Sequence, residues 1–96
     1  MRMNRALVLE APVDVPDGAG GRSRTWAALG TLWADVQAGA IREGVVALKV
    51  RVRAAAVGAP SRPVAGQRFR VGDRVFPILG VTEEERVLTC HAEGEL

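Results

Sequence analysis

One segment of the chain, residues 67–76, constrains the fold more tightly than any other, because polar and apolar residues alternate on both sides of a Gly-Asp pair. Glycine readily adopts the positive φ angle needed at the first central position of a two-residue turn, and aspartate is tolerated at the second. The pattern therefore predicts a tight β-hairpin around Gly72 and Asp73. This turn places Phe69 opposite Phe76, and paired residues point to the same face of a sheet. The segment thus fixes a strand register and a buried side at once.

Basic side chains occupy the outer faces of two predicted strands. In the hairpin, Arg68 and Arg70 lie on the face opposite the phenylalanines, and we expect that face to be free for a neighbouring subunit or for DNA. Residues 48–53 alternate in the same way, which is typical of a half-buried strand with one solvated face. The basic positions of that strand are Lys49, Arg51 and Arg53.

The rest of the chain predicts further short strands separated by turn residues. Proline and glycine are dense in residues 11–21 and 54–66, which we interpret as long loops. Residues 40–47 are compatible with a short helix or a turn, and residues 24–38 with two strands or with one strand broken at Gly30. The sequence therefore predicts an all-β fold, a small barrel or sandwich of six to seven short antiparallel strands with at most one short helix.

The alternation within these strands also predicts which side chains form the core. Trp33 falls on the polar side of its strand, so either another element covers it or it serves a protein interface, where tryptophan is enriched. The expected core residues are Leu7, Leu9, Trp26, Val36, Val50, Val52, Phe69, Phe76, Ile78 and Leu88.

Charge is distributed unevenly along the chain. Between residues 42 and 74 there are eight basic and two acidic residues, whereas residues 83–96 contain five acidic residues and one arginine. A basic middle and an acidic end fit two different partners, or head-to-tail contact between copies, and a solvated surface without a partner is the alternative. The acidic end begins with Glu83, Glu84 and Glu85.

Length and composition fit one folded domain. The chain has 96 residues and 48% hydrophobic residues, which argues against disorder. No apolar stretch approaches the roughly 20 residues that span a bilayer, and the apolar run near the start is too short for a signal peptide. Cys90 is the only cysteine, so no disulfide forms within the chain. We therefore expect a protein that stays in the cytosol or in something assembled there.

The residues of catalytic and metal sites are nearly absent from the sequence. His91 follows Cys90 directly, and adjacent strand residues point to opposite faces, so the two are badly placed to act as a catalytic pair. One cysteine and one histidine are too few for a zinc site, which takes about four ligands. The glycines of residues 18–21 lack the lysine and hydroxyl residue of a phosphate-binding loop. We expect no enzyme, no metal and no cofactor.

Nucleic acid is a more serious partner for the two basic faces. Lysine and arginine rows of this kind contact phosphates without reading sequence. A single-strand binder would also need exposed aromatic side chains on which bases stack. Aromatic residues make up 4% of the chain, there is no tyrosine, and both phenylalanines fall on the face away from Arg68 and Arg70. Any contact with DNA is therefore expected to be electrostatic and independent of sequence.

Taken in order, these segments resemble the head closure proteins of tailed phages, which are also called head-tail joining or stopper proteins. The resemblance runs from the first apolar strand (residues 7–10) through Trp26 and the strand at residues 32–36 to the basic strand, the hairpin and the closing strand at residues 87–90. Residues 57–63 and 67–76 look most like the versions found in gene transfer agents. The family usually has a longer, partly helical segment where this chain has only residues 39–47.

The resemblance implies a structural function and a single head-closure-like β-barrel domain over residues 1–96. Such proteins form a ring, typically of six copies, between the portal and adaptor side and the tail, and help to retain and conduct DNA. The implied partners are other copies of the chain, adaptor or portal-side ring proteins, a tail terminator, and double-stranded DNA bound without sequence specificity. The implied location is the neck of a virion or gene-transfer-agent particle assembled in the bacterial cytoplasm. A small nonspecific nucleic-acid-binding barrel is the alternative.

The residues that we expect at a subunit interface or at a DNA channel come from the basic faces, the outward tryptophan and the acidic end. They are Lys49, Arg51, Arg53, Arg68, Arg70, Trp33, Glu83, Glu84 and Glu85.

Overall fold

The computed structural model describes residues 2–95, which form six antiparallel strands. The strand order is β1-β2-β3-β6-β5-β4, and β4 pairs with β1 again, so the sheet closes into a barrel. The described residues contain no helix and hence none that could cross a membrane. The predicted all-β barrel is confirmed, although several strands are long. The strands are β1 (Arg5–Pro16), β2 (Arg22–Arg42), β3 (Val45–Arg53), β4 (Arg68–Val71), β5 (Arg74–Glu84) and β6 (Val87–Glu95).

Two-residue turns set the register of three neighbouring strand pairs. Gly72 has a φ of 59°, and Phe69 pairs with Phe76, as the hairpin pattern predicts. The segment left open as a helix or a turn is a turn, in which Glu43 and Gly44 both have positive φ (52° and 79°). Positive φ at both central positions gives the backbone twist that matches paired strands.

The third of these turns, between β5 and β6, consists of Glu85 and Arg86, whose φ angles are 50° and 64°. Side chains with a Cβ atom adopt this left-handed region at a cost, so the turn stores local strain. Glu84 is the last residue of β5 and pairs with Val87. The acidic residues therefore lie partly in a strand and partly in the turn.

The core fills the barrel with side chains from every strand. Leu9, Phe69 and Leu88 are completely buried. Seven of the expected core residues are buried, and Val36 and Phe76 pack against them while staying partly exposed. Ala34, Val46, Cys90 and Ala92 complete the set of buried hydrophobic residues.

The first predicted loop is instead a two-stranded ribbon. Pro12 pairs with Trp26 and Pro16 with Arg22, so β1 and β2 continue beyond the barrel up to a short turn at residues 17–21. We call this ribbon, residues 11–28, the arm. Proline has no N–H group to donate to a neighbouring strand. It is tolerated in the arm because one edge of β1 there has no neighbouring strand among the described residues.

A β-bulge separates the arm from the barrel. Leu9 pairs with Gly30 and Glu10 with Ala28, so Leu29 has no opposite residue. Gly30 has a φ of 145°, in the region that favours glycine. β2 is therefore a single strand, and its inward and outward positions exchange at the bulge.

The bulge explains why one core prediction is wrong. Trp26 shares its even number with the inward residue Ala34, and uninterrupted alternation would place both inside. Because Leu29 is an extra residue, Trp26 lies instead on the outer face, where it is half-buried.

The second predicted loop is confirmed, since residues 54–67 contain no strand. Pro63 in this loop is fully buried. The guanidinium group of Arg62 donates to the carbonyl oxygen of Ala55 at 2.7 Å. The loop is thus packed onto one end of the barrel rather than extended from it.

Candidate interaction surfaces

The basic residues of β3 form a row on the outside of the barrel. Val50 and Val52 are buried, so Lys49, Arg51 and Arg53 point outward, with Arg51 half-buried and the other two exposed. Residues two apart in a strand are about 6.6–6.8 Å apart, so the charges are evenly spaced. None of the four ion pairs among the described residues involves this basic row.

One acid, Asp35, lies beside the basic row, but among the described residues it forms no ion pair with it. Lys49 lies between Gln37 of β2 and His91 of β6. Arg51 lies between Asp35 and Thr89, and the Asp35 carboxylate accepts a hydrogen bond from Gln37 at 3.4 Å. The ammonium and guanidinium groups of the row can therefore donate hydrogen bonds to negatively charged groups of a partner.

The second predicted basic face is not free, and this corrects the sequence-based expectation. Nε of Arg68 donates to one oxygen of Glu10, and Nε of Arg70 donates to the other, each at 2.8 Å. The Glu10 side chain is only 8% exposed. Arg68 also stacks over the ring of Trp26, with Cζ 4.0 Å from the ring centre.

The electrostatics of this cluster favour an ionised carboxylate. The hydrogen bond from Arg70 is the main cause of a lowered pKa at Glu10, and the bond from Arg68 together with both positive charges acts in the same direction. Burial opposes them by raising the pKa, but the two arginines prevail. Because β1 and β4 share only three paired positions, Glu10 strengthens the shortest seam of the barrel.

The acidic end is divided in the structure. Glu83 accepts a hydrogen bond from Nη2 of Arg62 at 2.8 Å and so holds the loop at residues 54–67 onto the barrel. Glu84 and Glu85 are exposed. Any part that Glu83 plays in an interface therefore competes with its bond to Arg62.

Trp33 lies outside the barrel, with 61% of its surface exposed. It lines a shallow groove together with Arg53, Glu85 and Arg86. The fold thus brings together three of the predicted interface residues, the tryptophan, one base of the row and one acid of the turn. Their role in an interface stays a prediction.

Cys90 and His91 point to opposite sides of β6, as expected from strand alternation. Cys90 is completely buried, and burial raises the pKa of its thiol to about 12. His91 is exposed. Within residues 2–95 no three metal-ligating side chains gather into a possible metal site.

Sequence reasoning missed Glu10 as the partner of the two hairpin arginines. The position of Glu10 directly after the apolar residues of β1 indicates that it can be buried, and a buried acid needs a cationic partner. The signal could not be used because β1 and β4 are about 60 residues apart in the sequence, and only barrel closure brings them together.

Comparison with solved structures finds a chain with the same architecture. A chain from a structure described as the virion of a native gene transfer agent particle is 47% identical, with a TM-score of 0.86, and the match covers 100% of this chain and 97% of that one. That chain is a component of a phage-like particle, and the present chain shares its small all-β fold.

The family follows from the sequence itself. The model of the phage head completion protein family matches residues 1–95, so the chain belongs to that family and has a structural role in a phage-like head. Comparison with curated proteins gave no match. The resemblance drawn from the ordered segments is confirmed.

Proposed function

We propose that this chain is a head-tail connector subunit, a stopper or head closure protein, that forms a ring between the portal or adaptor side and the tail of a phage-like particle. The ring is hexameric and helps to retain and conduct DNA. The observation that carries the proposal is the family match over residues 1–95, joined by the full-length similarity to a chain of a gene-transfer-agent virion.

The surface charges support a ring of identical copies. The basic row on β3 forms no ion pair among the described residues, whereas Glu84 and Glu85 are exposed at the end of β5 and in the turn after it. In a ring, each copy contributes two different surfaces to its two neighbours, so one basic and one acidic surface per copy suffice. Trp33 lies beside Arg53 and Glu85 and supplies an apolar anchor at the same place.

The same proposal places the chain in the neck of the particle, after assembly in the bacterial cytoplasm. Its partners are other copies, adaptor or portal-side ring proteins, a tail terminator, and double-stranded DNA bound without sequence specificity. Basic residues that face a channel would attract phosphate strongly, whereas acidic ones would let DNA slide. If the basic row lines the channel, the ring holds DNA. If the exposed acids line it, the ring lets DNA pass.

The decisive experiment is analysis of particles purified from cells with and without the gene for this chain. We expect the chain in wild-type particles, a symmetric ring in images of the neck, and heads that lose DNA when the chain is missing. Purified particles that lack the chain would refute the proposal.

Two matched sets of variants separate the surfaces. We expect Lys49→Gln, Arg51→Gln and Arg53→Gln together to reduce incorporation or DNA retention without changing the fold, because these side chains form no ion pair with the residues that the structure describes. Glu84→Gln with Glu85→Gln is the corresponding change at the acidic end. If incorporation requires both sets equally, the two surfaces meet between copies; if only the basic set matters, the row contacts DNA.

The basic row also favours a second candidate function, that of a small nonspecific nucleic-acid-binding barrel. This function predicts that the isolated chain binds free double-stranded DNA and that the affinity falls steeply as salt rises. Arg51→Gln with Arg53→Gln would abolish such binding. Arg68→Gln with Arg70→Gln is the less selective change, because it also removes the partners of Glu10. No binding at low salt would remove this candidate.

A further inference from the structure

The arm has one open edge. From Arg22 to Trp33, β2 pairs with β1 on one side, and its pairing with β3 begins only at Ala34. Among the described residues, the other side of this stretch therefore has no strand partner. Backbone N–H and C=O groups on such an edge are free to pair with an added strand.

The hydrogen-bonding direction along the arm follows from two contacts. The carbonyl oxygen of Val13 accepts a bond from Oγ1 of Thr25 at 3.3 Å, and the backbone N–H of Asp17 donates to the carbonyl oxygen of Gly21 at 3.1 Å. Odd-numbered residues of the arm thus direct their backbone groups toward the opposite strand. Even-numbered residues direct theirs outward, because these directions alternate along a strand.

The two outer edges of the arm differ in their chemistry. On β1, the outward positions include Pro12 and Pro16, which have no N–H to donate. On β2, the outward positions are Arg22, Arg24 and Trp26, and all three keep their N–H groups. An additional strand can therefore pair with the outer edge of β2. It cannot pair with the outer edge of β1, because the two prolines there donate no hydrogen bond.

The arm is already ordered for this purpose. Oδ1 of Asp17 accepts the backbone N–H groups of Ala19 and Gly21 at 2.8 and 3.0 Å, which fixes the turn at the tip. Asp14 and Arg24 form an ion pair across the two strands at 3.4 Å. A preformed edge loses little conformational entropy when a strand pairs with it.

The side chains of the arm specify the strand that fits. On one face, Arg22 and Arg24 would be the cross-strand neighbours of the added residues, so acidic side chains fit there. The other face is uncharged and continues the inner side of the barrel. It consists of Ala11, Val13, Val15, Ser23, Thr25 and Ala27.

A second copy of the arm is a poor occupant of the same edge. Pairing β2 with β2 of another copy would bring Arg22 and Arg24 of both copies onto one face, and like charges directly opposite each other are unfavourable. Each copy would contribute only Asp14 as compensation.

We propose that the open edge of β2, from Arg22 to Ala28, captures an extended segment of a different protein of the particle. In that segment, acidic residues alternate with uncharged, β-branched residues, and it adds to the arm as a third strand. This proposal rests on the proposed function for its setting, since the partner is a component of the same particle.

Proline substitutions at matched positions test the open edge. Arg24→Pro removes an outward N–H from the middle of the edge, and Arg24→Gln removes the charge but keeps the N–H. Asp14→Pro makes the same kind of change on the edge that prolines already close. Both proline variants lose the ion pair between Asp14 and Arg24. Arg24→Pro also loses the Arg24 charge, so its difference from Arg24→Gln isolates the effect of the missing N–H.

Incorporation into particles is the readout for each variant. We expect Arg24→Pro to reduce incorporation by about tenfold or more, which is roughly the factor for one lost backbone hydrogen bond. Asp14→Pro should resemble the wild type, and Arg24→Gln should fall between them. Equal incorporation of both proline variants would overturn the proposal, whereas a wild-type chain that never enters particles would overturn the proposed function instead.

Two further measurements keep the result independent of misfolding and identify the occupant. Amide exchange of the isolated chain should show Arg24→Pro with the same protected barrel amides as the wild type. A photo-crosslinking residue in place of Ser23, in particles that keep Arg22 and Arg24, should form a bond to an acidic, extended segment of another protein. Crosslinks to DNA, to another arm, or to no other chain would each contradict the proposal.

Discussion

The barrel and the arm are built from the same two strands but differ in what surrounds them. In the barrel, β1 and β2 have a strand on each side and bury Leu7, Leu9 and Ala34. In the arm, each strand has one partner, and Val13 and Val15 are 41% exposed. The difference indicates that the buried core lies in the barrel, whereas the arm is an ordered ribbon that presents its surface to a partner.

The largest expected effect separates the two regions through the core. Phe69→Ala should reduce the free energy of unfolding by about 3–5 kcal/mol, because it empties a completely buried ring site in a small domain. Denaturant unfolding followed by tryptophan fluorescence measures this loss. Leu79→Ala is the control in the same barrel, since Leu79 is 58% exposed. A loss below about 1 kcal/mol for Phe69→Ala would show that the barrel does not carry the stability.

The next effect tests the seam where the arm leaves the barrel. Glu10→Gln should cost about 2–3 kcal/mol, because it removes the charge that two arginines share in a nearly buried site. Asp14→Asn makes the same chemical change in the arm, where the ion pair with Arg24 is exposed and should matter by less than about 1 kcal/mol. Equal losses would mean that the arm is held as tightly as the seam.

The same carboxylate gives the barrel a dependence on pH. Because the pKa of Glu10 is lowered in the folded state, its contribution is fully present above the ordinary pKa of a glutamate. It is lost as the pH falls through the lowered value. Melting temperatures of the wild type should therefore decline more steeply in acid than those of Glu10→Gln. Parallel curves would contradict the ionised cluster.

A smaller effect concerns the strained turn between β5 and β6. Arg86→Gly should stabilise the barrel by about 1 kcal/mol, because glycine adopts the positive φ of 64° without steric cost. The turn between β2 and β3 already has glycine at the equivalent position, so Gly44→Arg should destabilise by a similar amount. Thermal unfolding of both variants measures the pair, and shifts in the same direction would exclude backbone strain as the cause.

The smallest effect is expected in the arm itself. Val13→Ala and Val15→Ala should each change the free energy of unfolding by less than about 0.5 kcal/mol, because both side chains are partly solvated and lie outside the core. Chemical denaturation measures the change. A loss above about 1.5 kcal/mol would show that the uncharged face of the arm is covered within the isolated chain, and the contrast between barrel and arm would fail.

The hairpin of β4 and β5 shows how far the sequence could predict the fold. A glycine at the turn and strict alternation determine its register, because both signals act within ten residues. The basic face of β3 could be predicted for the same reason. The match between local pattern and structure holds wherever each strand alternates without interruption.

The errors arise where a local pattern has two meanings. Dense proline and glycine in residues 11–21 indicate a loop, but Pro12 and Pro16, four residues apart, also fit an edge strand whose outward N–H groups are not needed. The prediction that Trp26 lies in the core is wrong because a single extra residue, Leu29, reverses the inward and outward faces of β2. The bond between Glu10 and the two hairpin arginines depends on closure across the whole chain, which no local pattern contains.

The two prolines of β1 have a consequence for newly made chains that wait in the cell. A ribbon whose strands were open on both edges would let one molecule stack on the next without limit, as in a growing amyloid fibril. Because Pro12 and Pro16 close one edge, each arm accepts at most one further strand and then terminates. The chain can therefore expose the open edge of β2 at high concentration without forming a polymer through that edge.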